Sequence, residues 1–113
     1  MAELKKRGEQ HFEDHPKFPG VRICKLAGSF SKAPAGISIL EIAPGVEIPV
    51  HIHEESMDAI LVLEGSGSAY VNGAWSPIEK GDFAMIPAGQ EHGVRNDSDS
   101  PMRLYVVHQP PLF

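Results

Sequence analysis

Short runs of apolar and β-branched residues, several of them with alternating polar positions, recur along the chain from residue 21 onward. A period of two residues is typical of β-strands that bury one face, and β-branched residues favour the same structure. No stretch has a convincing helical period. The predicted strands, in chain order, cover residues 21–26, 37–42, 46–53, 57–63, 68–71, 74–76, 83–87, 92–95 and 102–108.

Turn-forming residues separate these runs at regular intervals. Pro44-Gly45 suits a type II turn, because glycine accepts the positive φ that this turn needs, and Asn72-Gly73 predicts a type I′ hairpin. Pro49 interrupts the third run and indicates an edge or a bulge, since proline has no amide hydrogen for a sheet ladder. Eight or nine short strands with regular turns predict an all-β sandwich or barrel.

The first part of the chain differs from the rest. Residues 1–20 are polar, with charges of both signs, and carry too little apolar surface to become ordered alone. We therefore expect a flexible or partner-contacting arm over residues 1–20 and a single barrel domain over residues 21–113. His11 and His15 have the i, i+4 spacing of helical metal ligands, but Pro16 disfavours a helix at His15, so we expect both to be solvated.

Composition and charge exclude several classes of protein. A length of 113 residues suits one domain, and a net charge of −5 argues against partners that are nucleic acids or anionic membranes. Cys24 is the only cysteine, so no intrachain disulfide can form. The chain has no apolar run of membrane-spanning length and its first ten residues contain no apolar leader segment, so we expect a cytoplasmic protein.

The best candidate chemistry lies in the stretch from residue 45 to residue 65. His51 and His53 are two residues apart on a predicted strand, so their imidazoles project from one face with Cα atoms roughly 6–7 Å apart. Two imidazoles so placed can bind one metal ion. Gly45 precedes this pair, and Asp58 and Gly65 follow it.

A second stretch, from residue 81 to residue 96, contains Gly81, Pro87, Gly89, His92 and Asn96. Together the two stretches resemble the paired motifs of the cupin superfamily. The first motif is a glycine, five residues, H-x-H, three or four residues, a glutamate, six residues and a glycine. The second is a glycine, five residues, P-x-G, two residues, a histidine, three residues and an asparagine. Every position agrees except one: an aspartate stands where the first motif has its glutamate.

The resemblance implies a double-stranded β-helix, or jelly-roll barrel, with a metal ion at its base and a ligand entering at the open mouth. The implied metal ligands are His51, His53 and His92, with Asp58 in the glutamate position. Imidazoles with one carboxylate suit a divalent transition metal such as Fe, Mn, Ni or Zn. Asp58 is shorter than glutamate by one C–C bond, roughly 1.5 Å, so we expect it to be a weaker or water-mediated fourth partner.

From this resemblance we expect a mononuclear metal site that binds or acts on a small polar metabolite, with dioxygenase, isomerase or lyase chemistry. The alternative is a non-catalytic module that binds a small molecule or a metal. An apolar barrel exterior and the N-terminal arm both predict a homodimer. The faces occupied by Arg95, Arg103, Tyr105 and His108, which could line the mouth, are left open by strand parity alone.

Overall fold

The computed structural model describes residues 2–113, which form two antiparallel β-sheets and two short 3₁₀ turns, Arg7–Glu9 and Ser29–Ser31. No helix within residues 2–113 is long and apolar enough to cross a membrane. The ten strands are β1 (Glu13–Asp14), β2 (Val21–Ala27), β3 (Gly36–Ile42), β4 (Glu47–His51), β5 (Met57–Glu64), β6 (Ser66–Val71), β7 (Ala74–Glu79), β8 (Phe83–Ile86), β9 (His92–Arg95) and β10 (Met102–Gln109).

The larger sheet has six strands in the order β1-β2-β3-β10-β5-β8, and the smaller has four in the order β4-β9-β6-β7. Their apolar inner faces supply the core, in which Ile42, Met102 and Leu104 are fully buried. A chain built almost entirely of strands in two sheets confirms the predicted all-β fold class. The strand positions match the sequence pattern closely, with β1 as the one strand that the pattern did not predict.

Strand β10 shows how the alternation of side chains positions the core. Met102, Leu104 and Val106 point between the sheets and are buried, whereas Arg103 and Tyr105 point outward. β10 lies between β3 and β5, so its inward side chains lie at the centre of the larger sheet. The same alternation turns the side chain of His108, near the end of the strand, toward the interior.

The predicted turns are confirmed by the backbone. Asn72 and Gly73 both have positive φ, 52° and 80°, as a type I′ turn requires. Gly45 has a φ of 76° and follows Pro44 in a turn closed by the bond from the Val46 amide to the Ala43 carbonyl. Pro49 lies on the edge strand β4, at a shift of register in the β4–β9 ladder. Its predicted position at an edge or a bulge is therefore confirmed.

The segment of residues 12–18 lies against the larger sheet. Strand β1 pairs with β2, and the Arg22 guanidinium donates to the Phe12 carbonyl at 3.1 Å. The Phe12 ring contacts the outward-facing Arg103 guanidinium at 5.0 Å from its centroid. Phe18 turns the other way and packs against the buried core. The segment therefore contributes to both faces of the sheet.

An apolar row crosses the outer face of the larger sheet. The cross-strand register aligns Cys24, Ile39, Tyr105, Leu61 and Phe83, one residue from each of five adjacent strands. Cys24 is buried, while Phe83 at the far edge is 65% exposed. The apolar surface is therefore covered at one end of the row and open to solvent at the other.

Asn96 joins the end of β9 to the segments around it. Its side-chain amide donates to the carbonyls of Ile42 and Ser100, and its carbonyl oxygen accepts from the amide and the hydroxyl of Ser98. The residue is 1% exposed. A buried amide whose polar atoms are all bonded in this way fixes a connection between the two sheets.

We expect Asn96→Ala to lower the free energy of unfolding by about 2–3 kcal/mol, because it removes several buried hydrogen bonds at once. Urea denaturation with a fluorescence or circular-dichroism readout measures the change. Asp99→Ala, in the same connection but exposed, should stay within about 0.5 kcal/mol of the native protein. Equal effects of the two substitutions would contradict the assigned role of Asn96.

Candidate metal centre

His51 and His92 come together because β4 and β9 are paired. His51 is the last residue of β4 and lies opposite His92, the first residue of β9. Their ring centroids are 4.4 Å apart. The pairing thus brings together two histidines that are 41 positions apart in the sequence.

His53 lies two residues beyond the end of β4, in the connection to β5, and not within the strand as the pattern predicted. The extended direction of the chain persists, because Ile52 points outward and is exposed while His53 points inward. Its ring centroid lies 4.8 Å from that of His51 and 5.2 Å from that of His92. The prediction that His51 and His53 share a face is confirmed.

The P-x-G turn positions both His92 and His53. Gly89 has a φ of 81°, a backbone conformation that favours glycine, and its amide donates to the His53 carbonyl at 2.9 Å. The turn closes through the bond from the Gln90 amide to the Pro87 carbonyl. His92 follows directly and is 4% exposed, so the turn directs this imidazole into the interior as predicted.

Asp58 reaches the same cluster from the opposite sheet. It lies in β5, is buried, and points inward. Its Oδ2 atom is 2.8 Å from His92 Nε2 and 4.0 Å from His53 Nε2. The carboxylate therefore lies close to the imidazoles despite being shorter than glutamate.

His108 is a member of the cluster that the motifs do not contain. It lies opposite Asp58 in the β5–β10 ladder, and its Nε2 atom is 2.9 Å from Asp58 Oδ1. Its ring centroid is 5.3 Å from that of His53. The sequence signal for His108 is the alternation of inward and outward side chains along β10, because His108 continues the inward series of Leu104 and Val106.

The tautomers of two rings follow from their partners. Nδ1 of His51 is 2.6 Å from the Pro49 carbonyl, and Nδ1 of His92 is 3.0 Å from the Gln90 carbonyl. A carbonyl can only accept a hydrogen bond, so each Nδ1 carries the proton and donates. Each Nε2 is then a lone-pair donor directed at the cluster, which is the arrangement that a metal-binding histidine needs.

The contact between Asp58 Oδ2 and His92 Nε2 therefore needs a shared cation. In the neutral tautomer both atoms are acceptors, yet they lie 2.8 Å apart. His92 Nε2 and Asp58 Oδ1 are buried, and the close contacts at both atoms lack hydrogen-bond geometry. A proton or a metal ion between the two groups would relieve the repulsion. These buried acceptors without directed partners fit a divalent cation.

The donor atoms are spaced as a metal site requires. His51, His53 and His92 form one group whose ligand atoms lie within 4.8 Å of one another, and His53, Asp58 and His108 form a second. Atoms bound to one ion at 2.0–2.1 Å lie roughly 3–3.5 Å from their neighbours, so small side-chain rotations close either group. Because His53 belongs to both, the two groups form one continuous cluster.

Burial and mutual contact set the protonation of the cluster. Burial lowers the pKa of His53 to about 4 and also lowers the pKa of His51. Burial raises the pKa of Asp58, but the short contacts with His108 and His92 outweigh it and hold this pKa well below its ordinary value. Near neutral pH His51 and His53 are therefore neutral imidazoles and Asp58 is a carboxylate, the forms that bind metals.

His92 behaves differently from the other two motif histidines. Burial lowers its pKa, but the Asp58 carboxylate and the Gln90 carbonyl together raise it more, so the pKa lies above the ordinary value for histidine. The raised pKa reflects the same need for positive charge between Nε2 and Oδ2. A proton and a metal ion would compete for this position.

The cluster lines a cavity of about 360 Å³ between the two sheets. This volume lies in the range of small-molecule sites. Most of the wall is apolar, and the polar groups are concentrated at the histidine cluster and along β2 and β3. His15 also lines the cavity, contrary to the expectation that it is solvated.

Comparison with known proteins places this arrangement in a family. The profile described as "Cupin domain" matches residues 38–108, well over half of the chain. That range includes all the motif histidines, Asp58 and His108. The match confirms the family resemblance drawn from the motifs.

Two curated relatives illustrate the range of the family. A quercetin 2,3-dioxygenase of Bacillus subtilis is 36% identical over 62 residues, which is 55% of this chain and 18% of that protein. An oxalate-binding protein of Thermotoga maritima is 26% identical over 68 residues, 60% of this chain and 56% of that protein. In both cases the matched region spans less than two thirds of the relative's own length.

The fold as a whole matches solved structures. The crystal structure of a predicted oxalate decarboxylase from Thermotoga maritima superimposes with a TM-score of 0.85 at 21% identity. The match covers 96% of this chain and 99% of that chain. At this identity the likeness establishes the double-stranded β-helix architecture.

Proposed function

Because the chain belongs to the cupin family, we propose that it holds one divalent transition-metal ion between its two sheets and uses it to bind a small organic metabolite in the adjoining cavity. His51, His53 and His92 are the proposed ligands, and Asp58 is a fourth, weaker partner. The observation that carries the proposal is the 2.8 Å approach of Asp58 Oδ2 to His92 Nε2, a buried nitrogen without a hydrogen-bond partner that needs a cation between it and the carboxylate.

The proposed roles of the histidines follow from how firmly each ring is held. His51 and His92 each donate from Nδ1 to a backbone carbonyl, which fixes the ring and directs Nε2 to the ion. His53 completes the set from the following connection. The open side of the cluster faces the cavity, so a ligand can reach the ion without displacing a side chain.

His108 supports Asp58 in this proposal. Its Nε2 atom lies 2.9 Å from Asp58 Oδ1, on the side of the carboxylate away from His92. Contacts to both oxygens restrict rotation of the carboxyl group and keep Oδ2 directed at the cluster. The identity of the ion, Fe, Mn, Ni or Zn, stays a prediction.

When bound, the ion would supply Lewis-acid or dioxygen chemistry, which suits dioxygenation, isomerisation or lyase reactions. The residues of the chain would orient the ligand against the ion, and the apolar walls would exclude water from it. A non-catalytic binding module is the second candidate. It is favoured by the relative named as an oxalate-binding protein, whose matched region overlaps this site.

We also propose a homodimer formed by the outer face of the larger sheet. Leu61, Phe83 and Met85 are exposed together on adjacent strands. The neighbouring register row, Arg22-Glu41-Arg103-Glu64, alternates in charge, so a second copy related by a two-fold axis can present complementary charges.

The arm over residues 1–20 and the barrel domain over residues 21–113 remain the proposed division of the chain. In the proposed dimer the arm would lie beside the interface, because Phe12 already contacts the outer face at Arg103. A cytoplasmic location stays a prediction. The buried free thiol of Cys24 suits a reducing compartment.

The ligand assignment is tested by metal content. We expect His92→Ala to lose nearly all bound metal, because it removes a buried donor, and Asp58→Ala to retain metal with affinity reduced by about 10- to 100-fold. Elemental analysis of purified protein and titration with Mn(II) and Zn(II) measure both. His11→Ala, an exposed histidine outside the site, should retain full metal content. If Asp58→Ala is stripped as completely as His92→Ala, the ranking of the ligands is wrong.

Activity with defined metals separates the two candidate functions. The protein reconstituted anaerobically with Fe(II), Mn(II), Ni(II) or Zn(II) is screened against small organic acids and phenols, with and without dioxygen. We expect turnover with at least one ion, and its loss in His92→Ala. Saturable binding without turnover under every condition would favour the binding module instead.

The dimer is tested by sedimentation velocity at micromolar concentration. We expect the native protein to sediment as a dimer and Phe83→Glu as a monomer, because a buried charge without a partner opposes association. Phe30 is a suitable control, being 57% exposed and outside the apolar row, and Phe30→Glu should remain dimeric. A monomeric native protein would refute the proposal.

A further inference from the structure

We propose that Lys25 and Ser38 form an anion-binding subsite beside the histidine cluster, and that the ligand is a small organic acid with one carboxylate and a compact apolar body. The inference rests on the proposed function, since it places the apolar body of the ligand beside the metal. It adds a substrate class and two residues that lie outside both motifs.

Ser38 supplies the first observation. It lies on the inner face of β3, is 1% exposed, and lines the cavity. Its hydroxyl has no hydrogen-bond partner among residues 2–113. A buried hydroxyl without a partner costs stability, so a hydroxyl retained at this wall is explained by a ligand that bonds to it.

Lys25 supplies the second observation. It lies directly opposite Ser38 in the β2–β3 ladder and also lines the cavity, so both side chains leave the sheet on the same side. Opposite residues in such a ladder have Cβ atoms about 4.5–5.5 Å apart. Its ammonium is 3.6 Å from a carboxylate oxygen of the exposed Glu13, a contact that a ligand carboxylate can replace.

The subsite is adjacent to the histidine cluster. Ser38 pairs with Val106 in the β3–β10 ladder, and His108 is two residues further along β10 on the same face. Diagonal neighbours of this kind lie about 7–8 Å apart. A molecule of about five to ten heavy atoms can therefore contact Ser38 and His108, the near side of the cluster, at once.

The charge lining the cavity favours an anion. Lys17 and Lys25 both line it, and within residues 2–113 the sole acid lining it is Asp58, which is already engaged by histidines. Burial lowers the pKa of His15 at the mouth, and the two lysines lower it further, which is the effect of a positive local potential. A divalent ion bound at the cluster would add to this positive potential. The wall is thus positive in a chain of net charge −5.

The remaining wall selects for an apolar body. The rest of the cavity wall includes the apolar side chains Leu40, Ile48, Ile60, Leu104 and Val106. These side chains cannot bond to the hydroxyls of a sugar, and burial of such hydroxyls would be unfavourable. One carboxylate on a compact apolar frame matches both parts of the cavity.

The proposal is tested by calorimetric titration with benzoate, benzamide and acetate, using native protein in metal-free and Zn(II)-loaded forms. Benzamide keeps the shape of benzoate without its charge, and acetate keeps the charge without the apolar body. We expect benzoate to bind at least about tenfold more tightly than either. Equal affinity for benzoate and benzamide would refute the anion subsite, and equal affinity for benzoate and acetate would refute the apolar body.

Variants assign the effect to the two residues. We expect Lys25→Met to weaken benzoate binding about tenfold and Ser38→Ala about threefold, both with unchanged benzamide affinity and unchanged zinc content. Lys80→Met, which removes a lysine from the outside of the barrel, should bind benzoate like the native protein. A Lys25→Met protein that binds like Lys80→Met would overturn the assignment.

Stability distinguishes a ligand contact from a structural one at Ser38. Because its hydroxyl has no partner within the described chain, Ser38→Ala should not lower the midpoint of urea unfolding. A lowered midpoint would show a structural partner and contradict the proposed role. If the native protein binds no zinc, the proposed function fails, and titration of the metal-free protein still tests the subsite on its own.

Discussion

The approach of the Asp58 carboxylate to the His92 imidazole is the contact on which the site depends. Asp58 belongs to β5 of the larger sheet and His92 to β9 of the smaller, so the contact bridges the two layers of the fold. Burial strengthens the repulsion between two acceptors and also the attraction of each for a cation. The closed scaffold creates this demand for positive charge, since the same two groups on an open surface would be separated by water.

Much of the fold could be predicted from local features of the sequence. Strand positions follow from apolar and β-branched runs, and hairpins follow from residues such as Asn72 and Gly73 that accept positive φ. The shared face of His51 and His53 required only the period of a strand. These features depend on near neighbours in the chain, which is why they are readable without knowledge of the tertiary structure.

The rest of the site depends on which strands become neighbours. His108 joins the cluster because β10 pairs with β5 in a register that sets it opposite Asp58, and Ser38 meets Lys25 because β3 pairs with β2. Parity within one strand restricts a side chain to one of two faces but does not say which face is inner. Whether Asp58 reaches the imidazoles also could not be predicted from the sequence. The answer depends on the distance between β5 and the strands that carry the histidines, compared with the length of the aspartate side chain.

The three motif histidines are not held with equal firmness. Carbonyl partners and strand pairing fix the rings of His51 and His92, but His53 lies beyond the end of its strand, and within residues 2–113 no backbone carbonyl fixes its ring. The donor set thus combines two histidines with fixed rings and one whose ring can adjust, so it is not shaped for a single ionic radius. Such a centre would adapt to first-row ions of different size, and the choice among them would fall to their abundance in the cell.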